Sequence, residues 1–488
     1  MGHTRGQRPV SAGRDEPGRA RTRLVIRMNH RPRTEMDRSM TDPFAKLTHV
    51  GPGSPTGEFF RQFWLPIARS SEFEADGAPI RLMALGERLV GFRDSGGRMG
   101  IFDHRCPHRC ASLFFGRNEN GGLRCSYHGW MFDVEGRVTD IPSSAGGRVP
   151  TRVRAKAYSV RERNGLVWIY MGSRETPPPL PVIGVVADDE ELEIQMWLRE
   201  CNWLQGMEGD IDAAHLAFLH HGGHDPEDVG EHFVLKWVTS GRAVETKVVN
   251  TAGGTMEGHR RPESFAPDYW HYTQQLLPSW TIPGQNPFEV EEPVVRFWLP
   301  MDDTHSMIFQ LSRPRALVDG RSAFHAGVAE LPGVKVRMAD LLQPNNDQDW
   351  YGRWRLTPSE ENNYFLDRDA QAKGNYTGVQ GIQIQDKMIT ESMGPVVDRT
   401  HEHLSASDLM VSRTRRRLLK AVDAYATTGD LPATLDDTEL TRGLMAGGGH
   451  VPEGTDWLQY YRDVAEAAGA DPRILESDLV EATEGVGA

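Results

Sequence analysis

Four residues constrain this chain more than any other feature: Cys106 and His108 in "CPHRC", then, after sixteen residues, Cys125 and His128 in "CSYH". Each short segment offers one thiolate and one imidazole, and both segments lie among strand-like runs. Two such arms point to a metal held between two loops. Zinc accepts the same donors, but structural zinc arms rarely separate a cysteine and a histidine by one residue. A [2Fe–2S] cluster fits directly, with both cysteines on one iron and both histidines on the other. Neutral imidazoles in place of thiolates would raise its reduction potential above that of an all-cysteine cluster.

The flanking sequence predicts how those loops are carried. "IRLMALGERLVGFRD" alternates and breaks at Gly86, "GLRCSYHGWMFDVEGRV" reads as strand, loop and strand, and "RAKAYSVRERNGLVWIYMG" turns at Asn164-Gly165. These runs predict a small all-β domain, placed with its lead-in at 44–175 and closed by the prolines of "SRETPPPLPVIG". Residues 176–440 mix strand-like runs such as "VVRFWLPMDDTHSMIFQLS" with helical ones, predicting an α+β domain whose antiparallel sheet is flanked by helices. "DWLQYYRDVAEAAG" places a helix in a C-terminal helical extension, 441–488. The first forty residues carry ten arginines, no lysine and four acids, without periodicity. Too few apolar residues are present to form a core, so a disordered tail is expected over 1–43. An arginine-rich, acid-poor start also fits a transit peptide, and Met28, Met36 and Met40 leave the true start open.

Composition excludes more than it assigns. A net charge of −13 argues against nucleic acid, which needs a basic face. No apolar run approaches a membrane span, and the N-terminus has no apolar h-region of a secretory signal. Of four cysteines two sit beside histidines at ligand spacing, which points to a reducing, cytoplasmic setting. Cys110 reads as a small buried residue, neither ligand nor disulfide, because the other loop offers no second cysteine.

A second constellation lies in "NWLQGMEGDIDAAHLAFLHH", residues 202–221, where Asp212, His215 and His220 follow one another. Histidines five residues apart stand about 140° apart on a regular helix. They can share a metal only if that helix is locally widened, as in a π-bulge. Glu208 and Asp210 read as solvated carboxylates at a helix start, and His221 and His224 as polar neighbours.

The Cys-x-His and Cys-x2-His arms resemble the Rieske signature, and Tyr127 and Trp130 resemble its Tyr-His-Gly-Trp loop. Cys110 stands where related oxygenases commonly have glycine. "EGDIDAAHLAFLH" resembles the phthalate dioxygenase-like branch of the Rieske non-heme iron oxygenases, and the resemblance runs from about residue 45 to 420. It implies a large (alpha) oxygenase subunit with a Rieske [2Fe–2S] domain and a catalytic domain binding mononuclear Fe(II) through His215 and His220. It also implies that Asp386, which follows a glutamine in "QDKMITESMGPVVDRTHEHLSASD", is the third ligand; Asp398, followed by Arg399, reads as an ion-pair residue and Asp408 as a helix cap. Asp212 is implied to be a bridge between centres of neighbouring subunits in a head-to-tail homotrimer. Electrons would come from NAD(P)H through a separate flavin and iron–sulfur reductase; the chain shows no dinucleotide fingerprint. O2 and an aromatic, acidic substrate are implied, with dihydroxylation, hydroxylation or O-demethylation as outcomes. Arg260 and Arg261 are candidates for holding a substrate carboxylate, solvated loop arginines being the equal alternative. The competing reading is a Rieske electron-transfer protein without oxygenase activity, against which Asp212, His215, His220 and Asp386 argue.

Overall fold

The structure, a computed structural model, describes residues 42–475 apart from 146–151, 188–189, 285–286, 289–293, 315–316, 319–320, 323–330 and 335. Of the tail expected over 1–43, only Asp42 and Pro43 fall within the described residues. Among those residues no helix is long and apolar enough to cross a membrane.

The first part is built from tight hairpins. Strands β2 (Ile80–Ala84) and β3 (Glu87–Arg93) are joined by Leu85-Gly86, both left-handed at φ 49° and 72°. β5 (Arg117–Glu119) and β6 (Gly122–Arg124) turn at Asn120-Gly121, and β9 (Ser159–Arg163) and β10 (Leu166–Tyr170) at Asn164-Gly165, again with two positive φ angles each. Two left-handed residues match the right-handed twist of the flanking strands, which is why Asn-Gly recurs there. Leu85 lacks that freedom, and tertiary contacts hold it: its N–H donates to Pro300 O (2.9 Å) while that of Gly86 donates to Met301 O (2.8 Å). The hairpin tip is thus docked on the second domain. With β1 (Trp64–Arg69), β4 (Met99–Asp103), β7 (Met131–Phe132) and β8 (Val138–Asp140), these strands form sheets ordered β1-β10-β9, β2-β3-β4 and β5-β6-β7-β8. Val90, Phe92, Phe102, Leu113, Leu123 and Phe132 pack around Cys106 and Cys125 in a small core of their own.

The second domain is α+β, as the sequence predicts. Its antiparallel sheet runs β11 (Glu193–Arg199), β17 (Ser306–Ser312), β16 (Val295–Pro300), β15 (Trp280–Ile282), β14 (Tyr269–Leu276), β13 (Gly254–Arg260), β12 (Glu245–Asn250). Helix α1 (Trp203–Asp210) lies on it through Gly206, where a Cβ would come 2.4 Å from Trp298 Cζ3. Gln205 on α1 donates to Thr390 O and Gly394 O (2.9 and 2.7 Å), tying α1 to the end of a second helix, Ile382–Ser392. The two domains share one large core, in which Trp168 of β10 packs 6.1 Å from Trp280 of β15.

Two expectations change here. The segment after 441 is not an appendage: Gly447–His450 pairs with β14, and Trp457, first residue of the helix Trp457–Ala467, stacks on Trp270 at 5.8 Å. Glycines carry little strand propensity, so this strand gives no signal in sequence. They are required because Tyr269 Oη would lie 2.2 Å from a Cβ on Gly448 and Tyr460 Oη 2.0 Å from one on Gly449. Glu208 and Asp210 are not solvated either. Arg415 grips both oxygens of Glu208 (2.7 and 2.8 Å), and Asp210 pairs with Arg296 while accepting from Thr281 Oγ1 and Trp298 Nε1 (2.8 and 2.7 Å).

Candidate cluster loops and candidate active site

The two Cys–His loops are near copies in backbone terms. Cys106 N–H donates to Ala111 O and Cys110 N–H to Cys106 O; Cys125 N–H donates to Trp130 O and Gly129 N–H to Cys125 O. The fourth residue after each cysteine is left-handed: Cys110 at φ 58° and Gly129 at φ 75°. Cys106 and Cys125 are 2% and 3% exposed, whereas His108 is exposed and His128 partly so. The imidazoles come together with ring centroids 4.7 Å apart, and Trp130 stacks flat on His108, also at 4.7 Å. Burial pushes the Cys106 thiol up to about 11, with the neighbouring Cys125 adding to the effect. A thiolate at this site therefore needs a cation beside it, and thiolates inside with imidazoles outside suit a two-iron cluster. Cys110 is free, as expected, but exposed rather than buried; it occupies an outward turn, not the core.

Asp212, His215 and His220 do not sit on one widened helix. α1 ends at Asp210, with Ile211 as its C-cap. The Asp212 carboxylate then accepts from Ala214 N (2.8 Å), turning the chain into a short 3-10 segment, His215–Ala217. This break brings the histidines together. His215 Nδ1 donates to Asp212 O (2.5 Å), leaving Nε2 bare. His220 Nδ1 donates to Gln385 Oε1 (2.7 Å), whose amide nitrogen is itself fixed on Val379 O (2.9 Å). The two Nε2 atoms stand 3.1 Å apart, and Asp386 Oδ1 lies 3.2 Å from that of His220 and 3.8 Å from that of His215. One donor atom from each residue falls within 4.8 Å of the other two. Two lone pairs and a carboxylate converging in this way repel one another without a cation between them, and two histidines with one carboxylate on one face suit iron(II). Burial works against ionising Asp386, but positive charge on the His220 and His215 rings, and after them Arg199, outweighs it and holds the carboxyl well below its usual range, the role a cation between the three takes over when the rings are neutral.

Asp386 comes from the first turns of α2 (Ile382–Ser392), which starts after Gly381. Gln385 beside it was missed by sequence reasoning, although its place next to the proposed ligand was a usable signal. The Asp212 carboxylate is also close to His215, 3.7 Å from Nδ1, and keeps 28% of its side chain exposed. Asp398 accepts from Thr400 N and lies 3.8 Å from His401 Nε2, Arg399 reaches towards Glu208, and Asp408 accepts from Ser405 N. His221 and His224 are buried, their Nδ1 atoms 3.2 Å apart.

A cavity of about 840 Å³, part of it open to solvent, includes Asp212, His215, His220 and Asp386 in its lining. Its apolar wall is Ile211, Leu216, Val234, Leu235, Trp237, Val238, Pro283 and Ile382. The expected arginines are employed elsewhere. Arg260 forms a two-atom ion pair with Glu245 (2.9 and 2.7 Å), and the fully buried Arg261 donates to the backbone carbonyls of Gly241, Arg242 and Ala213. Neither lines the cavity. Its polar wall holds the Asp210–Arg296 pair and His221 and also His259, His271 and Thr273, which sequence reasoning did not single out. The polar alternation Glu257-x-His259 in an otherwise buried strand was the available signal.

Comparison with known proteins supplies the context for this arrangement. A family described as "LigXa C-terminal domain like" matches residues 169–481, and the "Rieske [2Fe-2S] domain" matches residues 63–155. The 3-chlorobenzoate-3,4-dioxygenase oxygenase subunit of Comamonas testosteroni is 38% identical over 431 residues, covering 88% of this chain and 99% of that protein. The phthalate 4,5-dioxygenase oxygenase subunit of Pseudomonas putida is 32% identical, covering 85% and 93% respectively. The solved structure of a Pseudomonas putida CBB5 NdmA mutant with theobromine shares the fold at a TM-score of 0.52 and 18% identity, covering 82% of this chain and 99% of that one. These relatives are oxygenase subunits, which fits the oxygenase reading and not that of a bare electron carrier. With both families matched in order and full-length oxygenase subunits covered almost end to end, the chain belongs to the Rieske non-heme iron oxygenases, in the phthalate dioxygenase-like branch: it is the terminal oxygenase subunit of a multicomponent system, with a Rieske [2Fe–2S] cluster and a mononuclear iron as its cofactors.

Proposed function

We propose that this subunit oxidises an aromatic carboxylic acid, by dihydroxylation, hydroxylation or O-demethylation, in the cavity beside His215, His220 and Asp386. One observation carries the reading: three ligand atoms gathered within 4.8 Å of one another open onto a largely apolar cavity. The two relatives covered almost end to end act, by name, on 3-chlorobenzoate and phthalate, both aromatic acids. In this reading Cys106, His108, Cys125 and His128 hold the cluster, and His215, His220 and Asp386 hold Fe(II). When bound, the iron supplies O2 activation and the cluster a one-electron store.

The chain's own residues supply position and enclosure. Asp212 O and Gln385 fix the outer nitrogens of His215 and His220, so neither ring can turn away. Val234, Leu235, Trp237 and Val238 keep water from the reacting centre, which protects reactive oxygen from wasteful reduction. Neither cluster loop contributes to the cavity. The proposal therefore includes a head-to-tail homotrimer in which Asp212, close to His215 and open to solvent, meets His128 of a neighbouring subunit. A separate flavin and iron–sulfur reductase supplies electrons from NAD(P)H, in the cytoplasm.

The test is NADH and O2 consumption by the iron-loaded subunit with a reductase, over a panel of chlorinated, methoxylated and dicarboxylic benzoates. At least one acid should drive coupled consumption and give an oxygenated or demethylated product by mass. Full iron content with no acid-dependent consumption across the panel would overturn the substrate class.

A further inference from the structure

His259 and His271 have no part in holding the iron, yet they are the most unusual residues of the cavity wall. They are cross-strand partners, in register on β13 and β14, and Glu257 opposite Thr273 is the next pair on the same sheet face. The four side chains are nearly or fully buried, at 1%, 3%, 1% and 6% for His259, His271, Glu257 and Thr273. A sheet face this dry is normally apolar, and buried polar atoms are normally hydrogen-bonded. Here none of the four ring nitrogens of the two histidines has a hydrogen-bond partner among the described residues. Both rings line the cavity that includes the iron ligands, and Trp237 stacks over His259 at 5.7 Å. The wall is built to keep donors unpaired beside a space large enough for a small aromatic molecule.

The charges around the wall indicate what those donors meet. Burial, and after it Arg261, pushes His259 down to about 3, and burial, then His259 and Arg261, push His271 well below its usual value, so both rings are neutral and each carries one N–H. Burial also pushes Glu257, 3.6 Å from His259 Nδ1, up to about 8, so the nearest carboxyl keeps its proton at neutral pH. Behind the rings Arg261 remains a cation, its hydrogen bonds made to neutral carbonyls. The partly exposed Asp212 offsets part of that charge. A ligand anion placed on this wall gains two N–H donors and the field of a buried guanidinium; a ligand cation is repelled.

We propose that His259 and His271 together hold the carboxylate of the substrate, each ring donating one N–H to it. This rests on the reading of the substrate as an aromatic acid, and it moves recognition from Arg260 and Arg261 to two neutral imidazoles. The carboxylate is held on the sheet while the iron ligands come from α2 and the loop after α1, so the aromatic ring lies between the two.

The test is calorimetric titration of the cluster- and iron-loaded subunit with 3-chlorobenzoate and with its neutral isostere 3-chlorobenzamide. Each histidine is replaced by phenylalanine and, separately, by leucine, so that a packing-competent variant of each carries the comparison. Every folded variant should bind the acid about tenfold or more weaker, as expected for a lost hydrogen bond to a charged group. The amide should shift by less than about threefold, and His259→Asn, which keeps an N–H, should restore most of the acid affinity. Variants that bind the acid like wild type, or lose acid and amide alike, overturn the anchor. A wild-type subunit that binds the amide as tightly as the acid overturns the acid reading itself, a result distinguishable from the first because it appears before any substitution.

Discussion

Cys110 sits at φ 58°, in the loop position that Gly129 fills at φ 75°. A side chain in the left-handed region costs about 1–2 kcal/mol, part of which glycine returns through the greater freedom of its unfolded chain. Cys110→Gly should therefore stabilise the loaded protein by about 0.5–1 kcal/mol while leaving the visible spectrum unchanged, as thermal denaturation and absorption can show. Sequence reads Cys110 as neither ligand nor disulfide; its backbone angle and exposure depend on the loop's closure onto Cys106 and were not legible. Gln385 makes a similar point. Its Oε1 accepts from His220 Nδ1 and its nitrogen is fixed on Val379 O. Gln385→Leu should cost about 10–100-fold in iron affinity, the usual effect of losing a group that orients a ligand. Metal titration would show this loss with cluster absorption intact, and unchanged affinity would deny the orienting role.

At the scale of elements, the informative case is the segment 202–221. The spacing of His215 and His220 showed that a regular helix could not bring them together, but not whether it widens or breaks. It breaks, because Asp210 at the end of α1 is pinned by Arg296, Thr281 and Trp298, and Asp212 then turns the chain through Ala214 N. Those partners are distant in sequence, on β15 and β16, so nothing local announces them. Removing one member of a buried ion pair strands the other, at about 3–5 kcal/mol. Asp210→Ala should lower stability on that scale and loosen iron binding with it, read by denaturant unfolding and iron content. A loss under about 1 kcal/mol, the surface-pair range, would make the pair incidental. The glycine strand Gly447–His450 was illegible for a related reason: its place on β14 is set by the tyrosines it passes.

For the whole molecule, the sequence displayed the all-β and α+β parts, both Cys–His arms and the three residues that gather at the cavity, because ligand spacing and hairpin turns are local signals. Hidden were the shared core of the two domains and the polar sheet face of His259 and His271, which only cross-strand pairing reveals. Neither cluster loop lines the cavity, and the proposed head-to-tail trimer is what would bring a neighbour's cluster to it. If Asp212 joins one subunit's cluster loop to the next subunit's His215, Asp212→Asn should keep cluster and most of the iron but lose nearly all turnover. A surface aspartate would cost almost nothing, so near wild-type turnover at full iron loading would remove the bridge.

The most direct measurement is a single turnover without reductase. The subunit, its cluster reduced beforehand, is mixed with O2 and an accepted aromatic acid, and cluster reoxidation and product are followed together. Wild-type protein should form product as its cluster reoxidises. Asp386→Ala, with its cluster absorption intact, should form none and stay reduced far longer. Product formed by Asp386→Ala at the wild-type rate would contradict the account, because oxygen would then be activated somewhere other than between His215, His220 and Asp386.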